Sequence, residues 1–341
     1  MQKEHRPIVV WLFTGCLLIF IMVAIGGLTR LTHSGLSMVE WTTFGSAPPT
    51  SEGEWQELFN KYKQFPEYQQ VNFNFSLEEF KSIFYWEYGH RMFGRIIGLV
   101  FMLPFLWFWF RKMISKALMP KLILILILGG FQGLLGWYMV KSGLIKNPDV
   151  SHYRLALHLT TAFLTFAYTL WVALGLIYPK PKGVNENHSL KKYFVTLLPL
   201  LIVQIIWGAY VAGLNAGKVY NTWPKMGSKW IADGVTAMQP WWHNFVDGLA
   251  GVQFIHRYLA YFVVGVILII FFKGRKMNLT DSQKSSLYIL LTVVSLQFVL
   301  GIFTLIYAVP ISLGVIHQLG ALILLGAAIF GLHRFSVVNV Q

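Results

Sequence analysis

Charge-poor apolar stretches dominate this sequence, and eight of them are long enough to cross a lipid bilayer. A transmembrane helix needs roughly 17–25 mostly apolar residues. The eight stretches cover residues 8–29, 88–110, 121–140, 155–178, 193–214, 251–272, 285–308 and 312–332. Because 55% of the residues are hydrophobic and only 12% are charged, a soluble domain is excluded. The pattern predicts an all-α integral membrane protein with eight transmembrane helices.

Basic residues lie in every second gap between these stretches and near both ends of the chain. They are Lys3 and Arg6, then Arg111, Lys112, Lys116 and Lys121, then Lys180, Lys182, Lys191 and Lys192, then Lys273, Arg275 and Lys276, and finally Arg334. By the positive-inside rule these gaps face the cytoplasm, which predicts that both termini are inside. The net charge of +14 then follows from topology and from contact with the lipid bilayer, and no nucleic acid partner is needed. Because no transit peptide precedes the first helix, the expected location is a bacterial plasma membrane.

The sequence contains an internal repeat. Gly26 to Trp41 aligns without gaps with Gly208 to Trp223, Gln132 to Gly136 matches Gln297 to Gly301, and the pair His90-Arg91 matches His256-Arg257. A segment rich in proline, glycine and charge, residues 179–192, divides the helices four and four. Since four helices separate the copies, the repeat is parallel. We therefore expect two pseudo-symmetric four-helix bundles, residues 1–178 and 193–341, joined by this cytoplasmic linker.

The predicted outer loops are long in the first and third positions. In the first loop, about residues 30–84, Trp55, Phe59 and Tyr62 follow helical spacing with Leu58, and Ser76 to Glu79 has the pattern of a capping box. This indicates amphipathic helices on the outer membrane surface. The third loop, about residues 215–249, is rich in tryptophan and proline. Both loops are expected to cap a pocket.

Four histidines lie within the apolar stretches as two matched pairs, His90 with His158 and His256 with His317. Each lies on an even-numbered helix near its outer end, so all four are expected at similar depth toward the outer face. A single intramembrane histidine often makes only an interhelical hydrogen bond. Four in repeat-related pairs favour metal or heme ligation, since ionisable groups are costly in a membrane. Zinc would need further protein ligands, and the single cysteine is Cys16, so heme fits better.

Arginines accompany the histidines. Arg91 and Arg257 directly follow His90 and His256, and Arg95 lies one turn beyond Arg91. Guanidinium groups bind carboxylates well, which predicts contacts with heme propionates. The alternative is that these arginines flank the helices and reach lipid headgroups.

One difference between the repeats carries a chemical prediction. Glu87 precedes His90 by three residues, which puts it on the same helix face, whereas the equivalent position holds Gln253. A buried carboxylate beside a heme can act as a general base or stabilise developing positive charge, and an amide cannot ionise. The N-terminal site is therefore predicted to be reactive and the C-terminal site to hold a permanent redox cofactor. The alternative for Glu87 is an ion pair with Arg91 or Arg95.

These residues together resemble the heme A synthase family. The resemblance rests on the motif Glu87-Tyr-Gly-His90-Arg91, on the partner His158, on the His256 and His317 pair, and on two outer-loop segments, GGLTRLTHSGLSMVEW and YNTWPKM. It covers nearly the whole chain. It implies an oxidoreductase that converts the C8 methyl group of heme O to the formyl group of heme A through hydroxylated intermediates, for use in terminal oxidases.

The resemblance also implies roles for the site residues. His90 and His158, with Arg91 and Arg95, would frame the substrate heme O, and Glu87 would be the catalytic carboxylate. His256 and His317 would ligate the iron of a resident heme b, with Arg257 at its propionates. The implied partners are a heme O synthase (a farnesyltransferase), oxidase assembly factors and an electron acceptor that the sequence does not identify. Some members carry cysteine pairs in the outer loops, so this chain would belong to a cysteine-free branch.

Two other classes of protein compete with this interpretation. A cytochrome b-type electron carrier would use both bis-histidine hemes as permanent relays and would not need a carboxylate at one site alone. A parallel-repeat transporter would be expected to break its helices at mid-membrane depth, rather than gather histidines near one face. The contrast of Glu87 with Gln253 argues against the carrier, and the depth of the histidines argues against the transporter.

Overall fold

The computed structural model describes residues 5–39, 45, 47–143, 150–178 and 189–336, and this part of the chain is helical without strands. The α-helices are α1 (Arg6–Leu31), α2 (Glu52–Tyr62), α3 (Pro66–Gln70), α4 (Leu77–Phe110), α5 (Met119–Gly143), α6 (His152–Ile177), α7 (Lys191–Gly213), α8 (His243–Val246), α9 (Leu249–Gly274), α10 (Asp281–Ile306) and α11 (Ile311–Ser336). Eight of them, α1, α4 to α7 and α9 to α11, are long and apolar enough to cross a membrane. The prediction of eight such helices is confirmed.

Helix α4 begins earlier than the sequence predicted. It has 34 residues from Leu77 to Phe110, whereas we expected a helix over 88–110 and an outer loop up to about residue 84. The predicted capping box at Ser76 and Glu79 is present, with both reciprocal hydrogen bonds. The cap therefore starts the transmembrane helix itself, because no glycine or proline interrupts the following turns. The correction lengthens α4 by about three turns at its N-terminal end.

The long helices pack in two groups of four. In the N-terminal group α1 packs on α4 and α6, and α5 packs on the same two helices. In the C-terminal group α7 packs on α9 and α11, and α10 packs on these two. The groups meet where α6 contacts α7 and where α11 contacts α1 and α6. Large apolar side chains such as Leu103, Trp107 and Phe110 are exposed on the outside, as a lipid-facing surface requires.

The first outer loop is folded against the extension of α4. Trp55, Phe59 and Tyr62 of α2 are buried against the α4 side chains Phe80 and Phe84, which confirms the predicted helical spacing. Burial, with help from a nearby glutamate, raises the pKa of Tyr62 well above its usual range. The same apolar cluster includes Met38, so it fixes the loop that follows α1. Trp41 and the linker residues 179–188, which the sequence analysis used, lie outside the described residues.

Candidate functional site

A cavity of about 1600 Å³ lies between the two groups of helices, and all eight long helices contribute to its wall. His90, His158, His256 and His317 all line it, as do Glu87, Gln253, Arg91, Arg95 and Arg257. The structure thus brings together every site residue that the sequence predicted. Pockets for one small ligand usually measure roughly 300–1,000 Å³. This cavity is therefore larger than a pocket for one small ligand.

Each of the four imidazole rings packs against a glycine of a neighbouring helix. A Cβ atom built on Gly26 would lie 3.1 Å from His90 Cε1, one on Gly136 3.6 Å from His158 Cε1, one on Gly208 3.0 Å from His256 Cε1 and one on Gly301 2.9 Å from His317 Cε1. At Gly301 the distance is shorter than real side chains show, and at Gly208 and Gly26 it is tighter than most side-chain contacts, so at these three positions a larger residue would press on the ring. The glycines let each ring approach the adjacent helix closely.

The C-terminal histidine pair has the spacing of two ligands on one metal ion. The ring centroids of His256 and His317 are 6.4 Å apart and the ring planes are at 87°. Two imidazoles that bond one metal at about 2.0–2.1 Å, with roughly 1.1 Å from each nitrogen to its ring centre, have centroids about 6.3 Å apart. Among the described residues these are the only two histidines in ring contact with each other. The pair fits the iron of a heme.

Glutamine amides hold three of the four histidines. Gln204 Nε2 lies 3.2 Å from His256 Nδ1 and donates to the His256 carbonyl at 3.0 Å. Gln297 Nε2 makes the same two contacts with His317, at 3.2 and 2.9 Å. With its amide nitrogen turned toward the ring, Gln132 lies 3.0 Å from His158 Nδ1 and donates to the His158 carbonyl at 3.3 Å. In each case Nε2 of the histidine is the nitrogen left for a metal.

This contact was missed from the sequence. Gln132 and Gln297 served there only as markers of the repeat, and Gln204 was not noticed. Three of the glycines that contact a histidine ring follow a glutamine by four residues, as Gly208 follows Gln204. That spacing places glutamine and glycine on one helix face, so it could have predicted the contact between the glutamine and the histidine.

Glu87 is buried, with 3% of its surface exposed, and both of its oxygens are engaged. Oε2 accepts hydrogen bonds from Ser37 Oγ at 2.7 Å and from the Met38 backbone N–H at 2.8 Å. Oε1 pairs with Arg91 Nη2 at 2.5 Å, and the same nitrogen donates to the Met38 carbonyl at 2.9 Å. The ion pair that the sequence analysis weighed as an alternative is therefore present. It lies in the wall of the cavity, beside His90, and not at an exposed helix edge.

The equivalent position in the C-terminal half repeats this arrangement without the charge. Gln253 is 2% exposed, and its Nε2 donates to the Tyr220 carbonyl at 3.2 Å. Arg257 also donates to the Tyr220 carbonyl, and to that of Thr222 at 2.9 Å. Tyr220 is the gap-free equivalent of Met38 in the repeat. In both halves an arginine next to a histidine thus binds a carbonyl of the loop that follows α1 or α7.

The arginines have a structural role that the sequence analysis did not foresee. Arg91 and Arg257 both bind loop carbonyls, and Arg95 contacts the sulfur of Met92 at 3.7 Å. Arg30 also lines the cavity and donates from α1 to the α7 carbonyl of Ala212 at 2.9 Å. Contact between the predicted arginines and heme propionates stays a prediction.

Comparison with known proteins identifies the family. The family model described as "Cytochrome oxidase assembly protein" matches residues 9–329. The heme A synthase of Flavobacterium johnsoniae is 50% identical over 98% of this chain and all of its own length. The chain belongs to the heme A synthase family. Heme A synthases of Flavobacterium psychrophilum, at 50% identity over 98% of this chain, and of Nitrosospira multiformis, at 46% over 97%, agree with this assignment.

Membership of the heme A synthase family confirms the resemblance found in the sequence and makes this a heme-binding, multi-pass membrane protein. The structure supplies what such a protein needs. It has a large apolar cavity, four imidazoles on its wall and glycines that let the rings reach the space between the helices.

Proposed function

We propose that this chain is an oxidoreductase that converts the C8 methyl group of heme O to a formyl group, through hydroxylated intermediates, to make heme A for terminal oxidases. One observation carries the proposal: a buried carboxylate, Glu87, lies beside one histidine pair, where the repeat has an amide. Oxidising a methyl group develops positive charge on its carbon. A carboxylate fixed nearby stabilises such charge without having to reorganise.

In this proposal His90 and His158 bind the iron of the substrate and so set the position of its edge. Each oxidation removes two electrons and two protons from the substrate, the electrons pass to the electron acceptor, and water supplies the oxygen atom. Loss of water from the resulting gem-diol leaves the formyl group. Glu87 stabilises positive charge at the reacting carbon and receives one of the protons released there. Ser37 and the Met38 N–H hold one carboxylate oxygen, and Arg91 holds the other. The carboxylate thereby keeps one orientation, which is how a preorganised group becomes effective. Arg91 and Arg95 bind the propionates of the substrate.

His256 and His317 would hold a permanent heme b, and Arg257 would bind its propionates. When bound, this heme would supply a one-electron carrier. The 6.4 Å separation of the two rings supports bis-histidine ligation. The neutral Gln253 beside them offers no proton acceptor comparable with Glu87, in keeping with a cofactor that is not itself modified.

We further propose that residues 1–178 and 193–341 form two pseudo-symmetric bundles joined by residues 179–192, with both termini inside and the heme sites toward the outer face of the plasma membrane. The matching helix contacts in the two groups support this, as do the matching contacts of Arg91 with Met38 and Arg257 with Tyr220. The expected partners are a heme O synthase that delivers the substrate, oxidase assembly factors and an electron acceptor.

The test is extraction and mass analysis of hemes from the full-length protein, purified from cells that make heme O. Wild type is compared with Glu87→Ala and with Glu78→Ala, which removes an exposed glutamate of the same helix. We expect heme A or its hydroxylated precursor in wild type and in Glu78→Ala, and heme O in Glu87→Ala. If all three contain heme b alone, the synthase assignment fails and a cytochrome b-type electron carrier is favoured.

A further inference from the structure

One of the four histidines lacks the amide that holds the other three. Among the described residues no donor or acceptor contacts His90 Nδ1, although this atom is buried. His158, His256 and His317 each have a glutamine at the same ring nitrogen. The difference is confined to one ligand of the N-terminal pair.

The residue at the corresponding place for His90 is Met22. It lies four residues before Gly26, on which the His90 ring packs, just as Gln204 lies four residues before Gly208. The gap-free alignment of the repeats, extended by one turn, places Met22 on Gln204. Met22 is half-buried, lines the cavity and lies with its methyl group against Gly94, one turn from His90. A thioether offers no proton donor and is only a weak acceptor.

A missing amide has a defined consequence for a metal ligand. An outer hydrogen-bond partner fixes the orientation and tautomer of a metal-binding histidine, and its loss typically costs about 10–100-fold in metal affinity. When Nε2 binds iron, the proton remains on Nδ1 and needs an acceptor. In the contacts described above Gln204 and Gln297 present Nε2 to the ring, so each amide has to turn when Nδ1 carries the proton. The Oε1 atom that would then accept this proton is buried in both glutamines and has no partner among the described residues. His90 has no such acceptor.

We propose that Met22 makes His90 the exchangeable ligand of the N-terminal heme and thereby sets how fast heme enters and leaves that site. Met22 acts as a positioning residue because it cannot form the hydrogen bond to the histidine ring that a glutamine forms at the other three sites. The C-terminal pair has two amides and retains its heme, whereas the N-terminal pair has one firm ligand, His158, and one that turns away. This inference rests on the proposed function, because only a substrate heme has to be exchanged.

The experiment measures the release of heme from the purified full-length protein to excess apomyoglobin, followed by absorbance. Wild type is expected to release heme in a fast and a slow phase, and the fast phase is assigned by its absence in His158→Ala. Met22→Gln supplies the missing amide and should slow the fast phase about 10–100-fold. Met22→Leu, which fills similar space without an amide, should leave the fast phase unchanged. Gln204→Met should accelerate the slow phase.

Electron paramagnetic resonance and measurement of heme A formation separate this inference from the proposed function. Electron paramagnetic resonance of the ferric protein should show a narrower low-spin signal from the N-terminal heme in Met22→Gln, since the ring is held in one orientation. Equal release from Met22→Gln and wild type, or equal slowing in Met22→Leu, would overturn the inference. If wild type forms no heme A while Met22→Gln still slows the fast phase, the proposed function fails but the role of Met22 stands.

Discussion

The two histidine sites share their framework and differ in a few polar groups. In both, a ring packs on a glycine and an arginine next to a histidine binds a carbonyl of the outer loop. The N-terminal site adds the carboxylate of Glu87 and the hydroxyl of Ser37, where the C-terminal site has Gln253 and Val219. The two sites therefore differ in single polar side chains, and in the proposed function these side chains decide what happens to the heme at each site.

A contribution to the stability of the fold does not explain the buried charge of Glu87 in the N-terminal site. A buried ion pair loses the hydration of both groups, and replacing such a pair by apolar residues is often neutral or stabilising. Glu87 and Arg91 are 3% and 7% exposed at their side chains, so both have lost nearly all their water. At the equivalent position of the C-terminal half the neutral Gln253 is buried to the same degree. Retaining a carboxylate on one side alone is therefore best explained by chemistry.

The largest expected effect comes from making the two sites alike. Glu87→Gln gives the N-terminal half the residue of the C-terminal half, and it should lower heme A formation about 10²–10⁴-fold, since a positioned proton acceptor contributes that much. Heme b content should stay at the wild-type level. The measurement is heme analysis per molecule of purified protein. Heme A formation within threefold of wild type would show that the asymmetry is not catalytic.

A smaller effect is expected from Ser37→Ala, which removes one donor to Glu87 and leaves the carboxylate in place. A hydrogen bond to a charged group contributes about 1.5–3 kcal/mol, so heme A formation should fall about 10–100-fold. Val219→Ala, at the equivalent place in the other half, is the matched control and should have no effect. A loss of protein stability without a loss of heme A formation would assign Ser37 to folding alone.

The sequence predicted the parts of this comparison that depend on spacing. Apolar periodicity placed the eight helices, and the repeat placed the histidine pairs and the contrast of Glu87 with Gln253. These features are local, because a helix fixes which residues share a face. The predicted start of α4 was wrong because Ser76 and Glu79 were assigned to a helix within the loop. No residue between them and the predicted start breaks the helix.

The remaining contacts depend on how distant segments meet. Ser37 and the Met38 N–H reach Glu87 across a gap of about fifty positions, and only the path of the folded outer loop brings them there. Gln204 meets His256 because α7 packs on α9. Backbone donors have no signature in the residue letters, so the loop contacts to Glu87 were beyond a sequence pattern.

Adding a methyl group at a ring-seating glycine should weaken one site and spare the other. In Gly208→Ala the new Cβ would lie 3.0 Å from His256 Cε1, and overpacking of this kind costs about 1–3 kcal/mol. Release of the C-terminal heme to apomyoglobin should accelerate accordingly. Gly265→Ala on α9 is the control, since its Cβ would meet nothing within 4 Å. Equal release from both variants would contradict the proposed seating of the ring.

The smallest expected effect concerns Asp247, whose side chain contacts α6 of the N-terminal half. Asp247, just before α9, accepts from Tyr153 of α6 at 2.8 Å and lies 3.4 Å from His152 Nε2 and 2.5 Å from His243 Nδ1. Burial raises the pKa of Asp247, but the hydrogen bonds from Tyr153 and His243 outweigh it, so the net pKa is lowered. The carboxylate therefore contributes stability above its unfolded pKa of about 3.9, and this contribution is lost as the pH falls through the folded pKa.

Thermal unfolding of detergent-solubilised wild type and Asp247→Asn should reveal this contribution. Wild type should be more stable by about 1 kcal/mol at pH 7, and the difference should shrink steadily below about pH 4, because protonation then removes the charge from wild type as the substitution already has. Groups that do not contact Asp247 cancel in the difference. An equal difference in stability between the two proteins at pH 7 and pH 3 would mean that the amide disturbs packing and that the charge of Asp247 contributes nothing. Heme content at both sites should be unchanged, since Asp247 joins the two halves without lining either site.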